Sequence, residues 1–285
     1  MFREDPRELR PRLCPSCGTL VGSTATKCHE CGTSMTFSLA AVSKALGSLL
    51  PETSPVTYVI VFINGLLFVL SLILSMKGGE GASLMGGIDG MVLRRLGARV
   101  TPLIFEGEVW RLVTPIFLHG SVMHFGMNTL VLMDVGPQLE EVYGSARYLF
   151  LYVVMGIFSF VVSSLWNPYV ISIGASGSLL GLIGLMLAIT KKHGGALAEM
   201  YRKQLIRWVV YIFVFGFIIR GVDNAAHLGG LVAGYGLGKM FDDREPMNAQ
   251  ERSRAYLLGW TAALVVGVSF VMMVLQFFRT AQPVG

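Results

Sequence analysis

The sequence predicts an all-α membrane protein, a bundle of seven transmembrane helices with a small metal-binding unit at its N-terminal end. Three observations carry that expectation. Of 285 residues, 53% are hydrophobic and only 14% charged, whereas soluble domains run nearer about a quarter charged. Charge-free stretches recur at residues 56–75, 148–166, 168–190 and 255–278, and a helix needs roughly 20 apolar residues to cross the hydrocarbon core. All four cysteines fall near the N-terminus, in two Cys-x-x-Cys pairs.

Three further apolar segments, at 113–134, 205–219 and 224–240, are interrupted by polar groups and complete the seven spans. The net charge of +5 does not imply nucleic-acid binding, because the basic residues sit mostly between spans. Arg3, Arg7, Arg10, Arg12, Lys27 and Lys44 precede the first. Lys191, Lys192, Arg202, Lys203 and Arg207 lie between the fourth and fifth, and Lys239, Arg244, Arg252 and Arg254 before the last. With alternating helices these groups share one side, which the positive-inside rule makes cytoplasmic. The N-terminus is expected inside and the C-terminus outside. No cleavable signal peptide is expected, since the first thirty residues are charged and lack an apolar run.

The N-terminal unit reads CPSCG, then ten residues from Gly18 to Lys27, then CHECG. Cys14, Cys17, Cys28 and Cys31 on two tight turns make a thiolate cage suited to structural zinc. Gly18 and Gly32 follow the pairs, where the turns need a permissive backbone. So small a unit cannot fold on a hydrophobic core, and metal would supply the folding energy. Two disulfides, or reactive thiols, are the alternative, but an inside-facing terminus lies in a reducing compartment. His29 reads as a bystander. Residues 36–55 form a linker in which Phe37, Leu46, Leu49 and Leu50 suggest a short interfacial helix ending at Pro51. A long loop with Gly78, Gly79, Gly81, Gly86, Gly87 and Gly90 joins the first two spans.

Ionisable and polar side chains inside spans are costly and therefore candidates for function. The second span holds His119, His124 and Asn128, the sixth holds His227, and Gly174-Ala-Ser-Gly177 opens the buried part of the fourth. Taken alone, Ser176 also reads as a helix hydroxyl bonded to a carbonyl one turn back. His227 alone also reads as a proton relay or a buried structural group. The glycines link the two. Gly177, Gly181 and Gly184 smooth one helix face, and Gly230, Gly234 and Gly238 another, one turn beyond His227. Small residues at this spacing let helix backbones approach closely. Packing these faces would bring Ser176 towards His227, and serine beside a histidine base is the nucleophile arrangement of acyl transfer. His124 and Asn128 are four apart, share a helix face, and can donate to an oxyanion. Zinc on His119 and His124 is disfavoured, because five residues set them about 140° apart on a helix. Asp223, one turn before His227, is not taken as a triad acid.

Four elements in this order resemble the rhomboid intramembrane proteases: Trp110-Arg111, His119/His124/Asn128, Gly174 to Gly177, and Ala226-His227. The resemblance covers about residues 56–240. It implies a rhomboid-like bundle of six helices plus one, and serine endopeptidase activity on single-pass transmembrane proteins near the outer membrane surface. It further implies Ser176 as nucleophile, His227 as base, His124 and Asn128 as oxyanion donors, and no cofactor for catalysis. It implies a multi-pass protein in contact with membrane lipids, in a bacterial inner membrane with the N-terminus cytoplasmic. The expected parts are a zinc-ribbon-like domain (1–35), a linker (36–55), the rhomboid core (56–241) and an additional C-terminal helix (242–285). Such proteases often carry an aromatic residue four positions after the nucleophile, against the histidine ring; here that place is Leu180. Trp110 and Arg111 read as interfacial anchors, and the fifth span, short between Arg207 and Arg220, as the mobile side of substrate access. A catalytically weak relative that binds membrane clients is one alternative, though such proteins usually lack the serine or the histidine. An ion or proton transporter using His124, His227 and Asp134 is the other, with few intramembrane charges and no inverted repeat in its favour.

Overall fold

A computed structural model describes residues 11–35, 53–77, 87–219 and 221–281, with Thr280 and Ala281 described by backbone alone. The expected interfacial helix around Leu46, most of the linker, and Gly78 to Gly86 lie outside the described residues. The N-terminal unit has two short antiparallel strands, β1 (Arg12–Leu13) and β2 (Leu20–Val21). The remainder is helical: α1 (Pro55–Lys77), α2 (Gly90–Arg95), α3 (Thr101–Phe105), α4 (Val122–Tyr143), α5 (Ser145–Trp166), α6 (Ser176–His193), α7 (Gly195–Ile218), α8 (Asn224–Met240) and α9 (Ala249–Ala281). Seven of these, α1 and α4 to α9, are long helices and form a membrane bundle.

Length and composition alone qualify residues 55–76, 145–166 and 249–279 as spans, with mean hydropathies of 2.6, 2.1 and 2.2. Their outward faces are apolar, as Phe62, Leu66, Leu264 and Val271 are exposed. Large exposed apolar surfaces of this kind suit lipid rather than water. The other long helices carry polar groups that the fold has to satisfy internally.

Two spans begin later than the sequence pattern suggests. The second was expected at 113–134, but α4 runs from Val122 to Tyr143. Residues ahead of it form two 3-10 turns, Val109–Leu112 and Thr114–Phe117, the second led by Pro115. Ser121 then caps α4, its Oγ accepting from His124 N at 3.2 Å, as N-cap serines do. The helix continues past Asp134 because its polar groups find partners: Trp208 Nε1 donates to Asp134 Oδ2 at 2.8 Å. The fourth span was expected at 168–190, but α6 starts at Ser176. Its approach is extended and bridges to another loop, Arg99 N donating to Ser172 O at 2.9 Å. The fifth is also different from expectation: α7 is a continuous helix of 24 residues.

Trp110 and Arg111 do not face the interface as anchors would. Both are buried. The Arg111 guanidinium lies 4.5 Å over the Trp110 ring. It donates to the carbonyls of Arg94 (2.7 Å) and Ala98 (3.1 Å) and pairs with Glu108. The planar fork of five donors suits this use better than a lipid boundary does. The pair is the core of the segment that joins α1 to α4.

The opposite end has a comparable knot. Buried Glu140 of α4 accepts from Val56 N (2.9 Å), Thr57 N (2.8 Å), Thr57 Oγ1 (2.8 Å) and Ser145 Oγ (2.7 Å). One carboxylate thus caps the orphan amides at the start of α1 and ties α1 to α4 and α5. Replacing Glu140 with alanine leaves these donors unpaired and should destabilise the bundle by about 3 kcal/mol, measured by thermal or SDS-driven unfolding.

Candidate active site

The site is built where α6 and α8 touch. A Cβ on Gly230 would lie 1.9 Å from the carbonyl oxygen of Gly177, and one on Gly234 would lie 1.8 Å from that of Gly181. Backbones this close exclude any side chain from α8 at both positions. The sequence pattern suggested two glycine faces packing on each other. That holds for Gly184, where a Cβ would meet Leu231 O of α8 at 2.3 Å, whereas the missing side chains of Gly177 and Gly181 point to α5, at Ser159 and Met155, while their carbonyls face α8. Glycine on α6 therefore serves two neighbours, and α5, α6 and α8 close into one tight group.

This approach sets Ser176 Oγ 2.9 Å from His227 Nε2. Ser176 is the first residue of α6 and is half-buried, whereas His227 is buried. The second imidazole nitrogen, Nδ1, is buried with no hydrogen-bond partner among the described residues. Asp223 does not serve it. Its Oδ1 caps α8 by accepting from Ala226 N at 3.0 Å, and its Oδ2 pairs with Arg99 at 3.1 Å. The serine hydroxyl can donate to Nε2 as a nucleophile does to its base.

His124 approaches from α4. At Gly174 the backbone has φ of +122°, and a Cβ there would meet His124 Nε2 at 2.6 Å and Ser176 Oγ at 3.7 Å. Only glycine suits both the conformation and the space. Gly120 N contacts His124 Nδ1 at 3.4 Å. A backbone donor on Nδ1 selects the tautomer with hydrogen on Nε2, the nitrogen turned to the Gly174–Ser176 turn. The first amides of α6, from Ser176 onward, have no intrahelical acceptor and add their dipole there. Asn128 is buried one turn on, and its Nδ2 donates to the His124 carbonyl at 2.9 Å, leaving its second hydrogen for another acceptor. His119 is fully buried behind this group, packed edge-on against the rings of His124 (5.1 Å) and Phe125 (5.5 Å).

Beyond these contacts, the match to known proteins is specific. The family model for the rhomboid domain matches residues 106–243. The chain is 31% identical over 196 residues to "Rhomboid-like protease 3" of Toxoplasma gondii, covering 66% of this chain and 74% of that one. The chain belongs to the rhomboid family. It is also 34% identical over 179 residues to "Rhomboid protease GluP" of Bacillus subtilis (strain 168), covering 63% of this chain and 33% of that protein. With "RHOMBOID-like protein 1" of Arabidopsis thaliana it shares 38% over 157 residues, or 54% of this chain and 40% of that one. This rhomboid chain thus spans less than half the length of those two relatives.

Two contributors to the site were not singled out in the sequence. At Leu180 the side chain is fully buried and the aromatic role is filled from elsewhere. Phe213 of α7 meets the His227 ring edge-on, centroids 6.0 Å apart and planes at 84°. Nothing in the spacing of α7 marks Phe213 among its neighbouring apolar residues. The other is Arg99, which follows Arg94 and Arg95 in the same segment; a buried arginine is costly unless paired, but its burial, not its spacing, is what distinguishes it from those neighbours.

The four cysteines form a separate site. Their Sγ atoms lie within 4.8 Å of one another, with Cys14 to Cys31 at 3.5 Å and Cys17 to Cys28 at 3.6 Å. Thiolates on a tetrahedral zinc stand about 3.8 Å apart, so the set fits. The two turns are built alike: Gly18 N donates to Cys14 O and Gly32 N to Cys28 O, both at 2.9 Å, with φ of +76° and +70° at the glycines. Burial pushes the Cys14 thiol up to about 12. Burial acts upward on Cys17 as well, but the Thr19 hydroxyl and amide outweigh it and bring that thiol down to about 6. A dication held by the four sulfurs would let all of them deprotonate together.

Two measurements check these assignments. Phe213→Ala removes the edge contact to His227 and should lower kcat about tenfold with little loss of fold, whereas Phe213→Tyr should retain activity. Metal analysis of purified protein should give about one zinc per chain, with loss of zinc in Cys28→Ser.

Proposed function

We propose that this chain is an intramembrane serine endopeptidase that cleaves single-pass transmembrane proteins near the outer membrane surface. The observation that carries the reading is the 2.9 Å contact between Ser176 Oγ and His227 Nε2. Ser176 attacks the peptide carbonyl as His227 Nε2 takes its proton. The tetrahedral oxyanion is held by His124 Nε2–H, the free N–H of Asn128 and the backbone amide of Ser176. His227 then returns the proton to the leaving amine, and a water activated by the same nitrogen releases the acyl group. With no partner on Nδ1 among the described residues, the edge contact with Phe213 and the bond to Ser176 hold the ring, so a dyad suffices.

The rhomboid relatives named as proteases support this reading, as does the placement of Ser176 at the start of α6. We divide the chain into a zinc-ribbon-like domain (1–35), a linker (36–55), a core (56–241) and an additional helix (242–285). Zinc is structural in the ribbon and takes no part in the chemistry. The basic residues between helices favour a cytoplasmic N-terminus in a bacterial inner membrane, with lipids and transmembrane substrates as partners and no nucleic acid.

Fluorophosphonate labelling of purified protein tests the nucleophile: wild-type protein should be labelled and Ser176→Ala should not. Ser176→Ala and His227→Ala should each abolish cleavage of a transmembrane substrate, with the double variant no worse. Asn128→Ala should slow turnover by about 10 to 10³-fold at near-normal expression.

A further inference from the structure

We propose that Arg99 is a positioning residue that suspends both halves of the Ser176–His227 pair from one point. The inference rests on the proposed function for its kinetic readout. Arg99 is fully buried, and it is the largest side chain so buried among the described residues. Its guanidinium joins three segments. Nη1 donates to Thr101 Oγ1 at 2.9 Å and to Asn167 O at 3.1 Å. Nη2 donates to Ser163 Oγ at 2.5 Å and to Asp223 Oδ2 at 3.1 Å. Ser163 Oγ also bonds to Asp223 Oδ2.

The histidine side follows from Asp223. This residue is the N-cap of α8, and its own carbonyl accepts from His227 N at 3.1 Å. The first turn of α8, with His227 at its end, is therefore set by where Arg99 holds Asp223. The serine side follows from the Arg99 backbone. Arg99 N donates to Ser172 O at 2.9 Å, and Ser172 N donates to Arg99 O at 3.2 Å. Two residues on, Gly174 N donates to Pro115 O at 2.8 Å. The extended segment that delivers Ser176 to the start of α6 thus hangs from the same residue.

A packing role alone would not need a charge. A buried arginine is costly to desolvate, and removing one member of such a pair strands the other. The cation is matched by one carboxylate, and that carboxylate is committed to the cap and to Arg99 rather than to the imidazole. Asp223 acts through Arg99 and the helix start, not as a third acid of a triad.

The test uses full-length protein in detergent and in proteoliposomes. Arg99→Gln, Arg99→Lys, Asp223→Asn and Glu140→Gln are compared with wild type. The second-order rate of fluorophosphonate labelling of Ser176, and kcat and KM on a transmembrane substrate, are measured below each variant's melting temperature. Arg99→Gln and Asp223→Asn should lose about 10²-fold in labelling rate and kcat, with KM within about twofold. Arg99→Lys keeps the charge and one donor group, so it should stay folded and recover part of the rate. The pH profile of labelling should keep its shape in Asp223→Asn.

Wild-type labelling rates in folded Arg99→Lys and Asp223→Asn would overturn the proposal. So would an equal slowing in Glu140→Gln at matched loss of melting temperature, because Glu140 supports the far end of the bundle and the effect would then be general. Failure of the wild-type chain itself to be labelled at Ser176 is a distinct outcome that fells the proposed function.

Discussion

Everything at the site depends on the contact of α6 with α8 through bare backbone. The Gly177 and Gly181 carbonyls occupy the space where Cβ atoms of residues 230 and 234 would stand. In lipid there is no hydrophobic drive to push helices together, and close dispersion contact has to do more of the work. A methyl group at either position would separate the helices by more than 1 Å, and the bond between Ser176 and His227 has no such margin. The same glycines bring Ser159 and Met155 of α5 against the other side of α6. The pair is thus set on a rigid three-helix group.

Around that group, several charged side chains in or near the interior hold structural joints. Glu140 caps α1, Asp134 accepts from Trp208, Arg111 satisfies the carbonyls of the segment before α4, and Arg99 meets Asp223. These contacts join elements far apart in the chain, at positions where an unpaired backbone group would otherwise face the apolar interior. An unsatisfied amide or carbonyl there costs several kcal/mol or so. Buried charge in this fold marks joints between segments, while the His124 and His227 imidazoles and the Ser176 hydroxyl meet at the starts of α6 and α8.

Much of this was legible in the residues. Glycine spacing pointed to the close helix pair, and the two Cys-x-x-Cys turns to the cluster at the N-terminal unit. What the sequence obscured were the ends of the polar spans. Residues 113–121 and 168–175 are as apolar as helix, yet Pro115, the Ser121 cap and Gly174 at φ of +122° hold them out of it. Hydropathy weighs side chains and is blind to backbone conformation. Trp110-Arg111 misled for a related reason: the amphipathic pair suits a headgroup region as well as a loop core, and only the carbonyls of Arg94 and Ala98 distinguish them. Phe213 could not be found because it replaces, from another helix, a ring expected at position 180.

That substitution has a consequence for how the pair is held. An aromatic at position 180 would sit on α6 itself, inside the rigid group. Phe213 sits on α7, where Leu205 and Gly216 are the buried residues among 24. Gly216 is close to Asn224 at the start of α8, where a Cβ would meet the Asn224 side chain at 2.1 Å, and Trp208 fastens the other half of α7 to Asp134. Between those two attachments the helix rests on its neighbours mostly through half-buried side chains. Local stability is lowest where buried apolar contact is least, and among the long helices described α7 has the fewest buried residues; a displacement of α7 is what the proposed substrate access would require. Any such movement draws Phe213 from the His227 ring. Under the proposed mechanism, opening α7 to a substrate loosens the base, and closure of α7 restores it. The glycine contact and the Arg99 joint hold the ring's attachment to α8 throughout, so what α7 controls is the orientation of the imidazole and not its position.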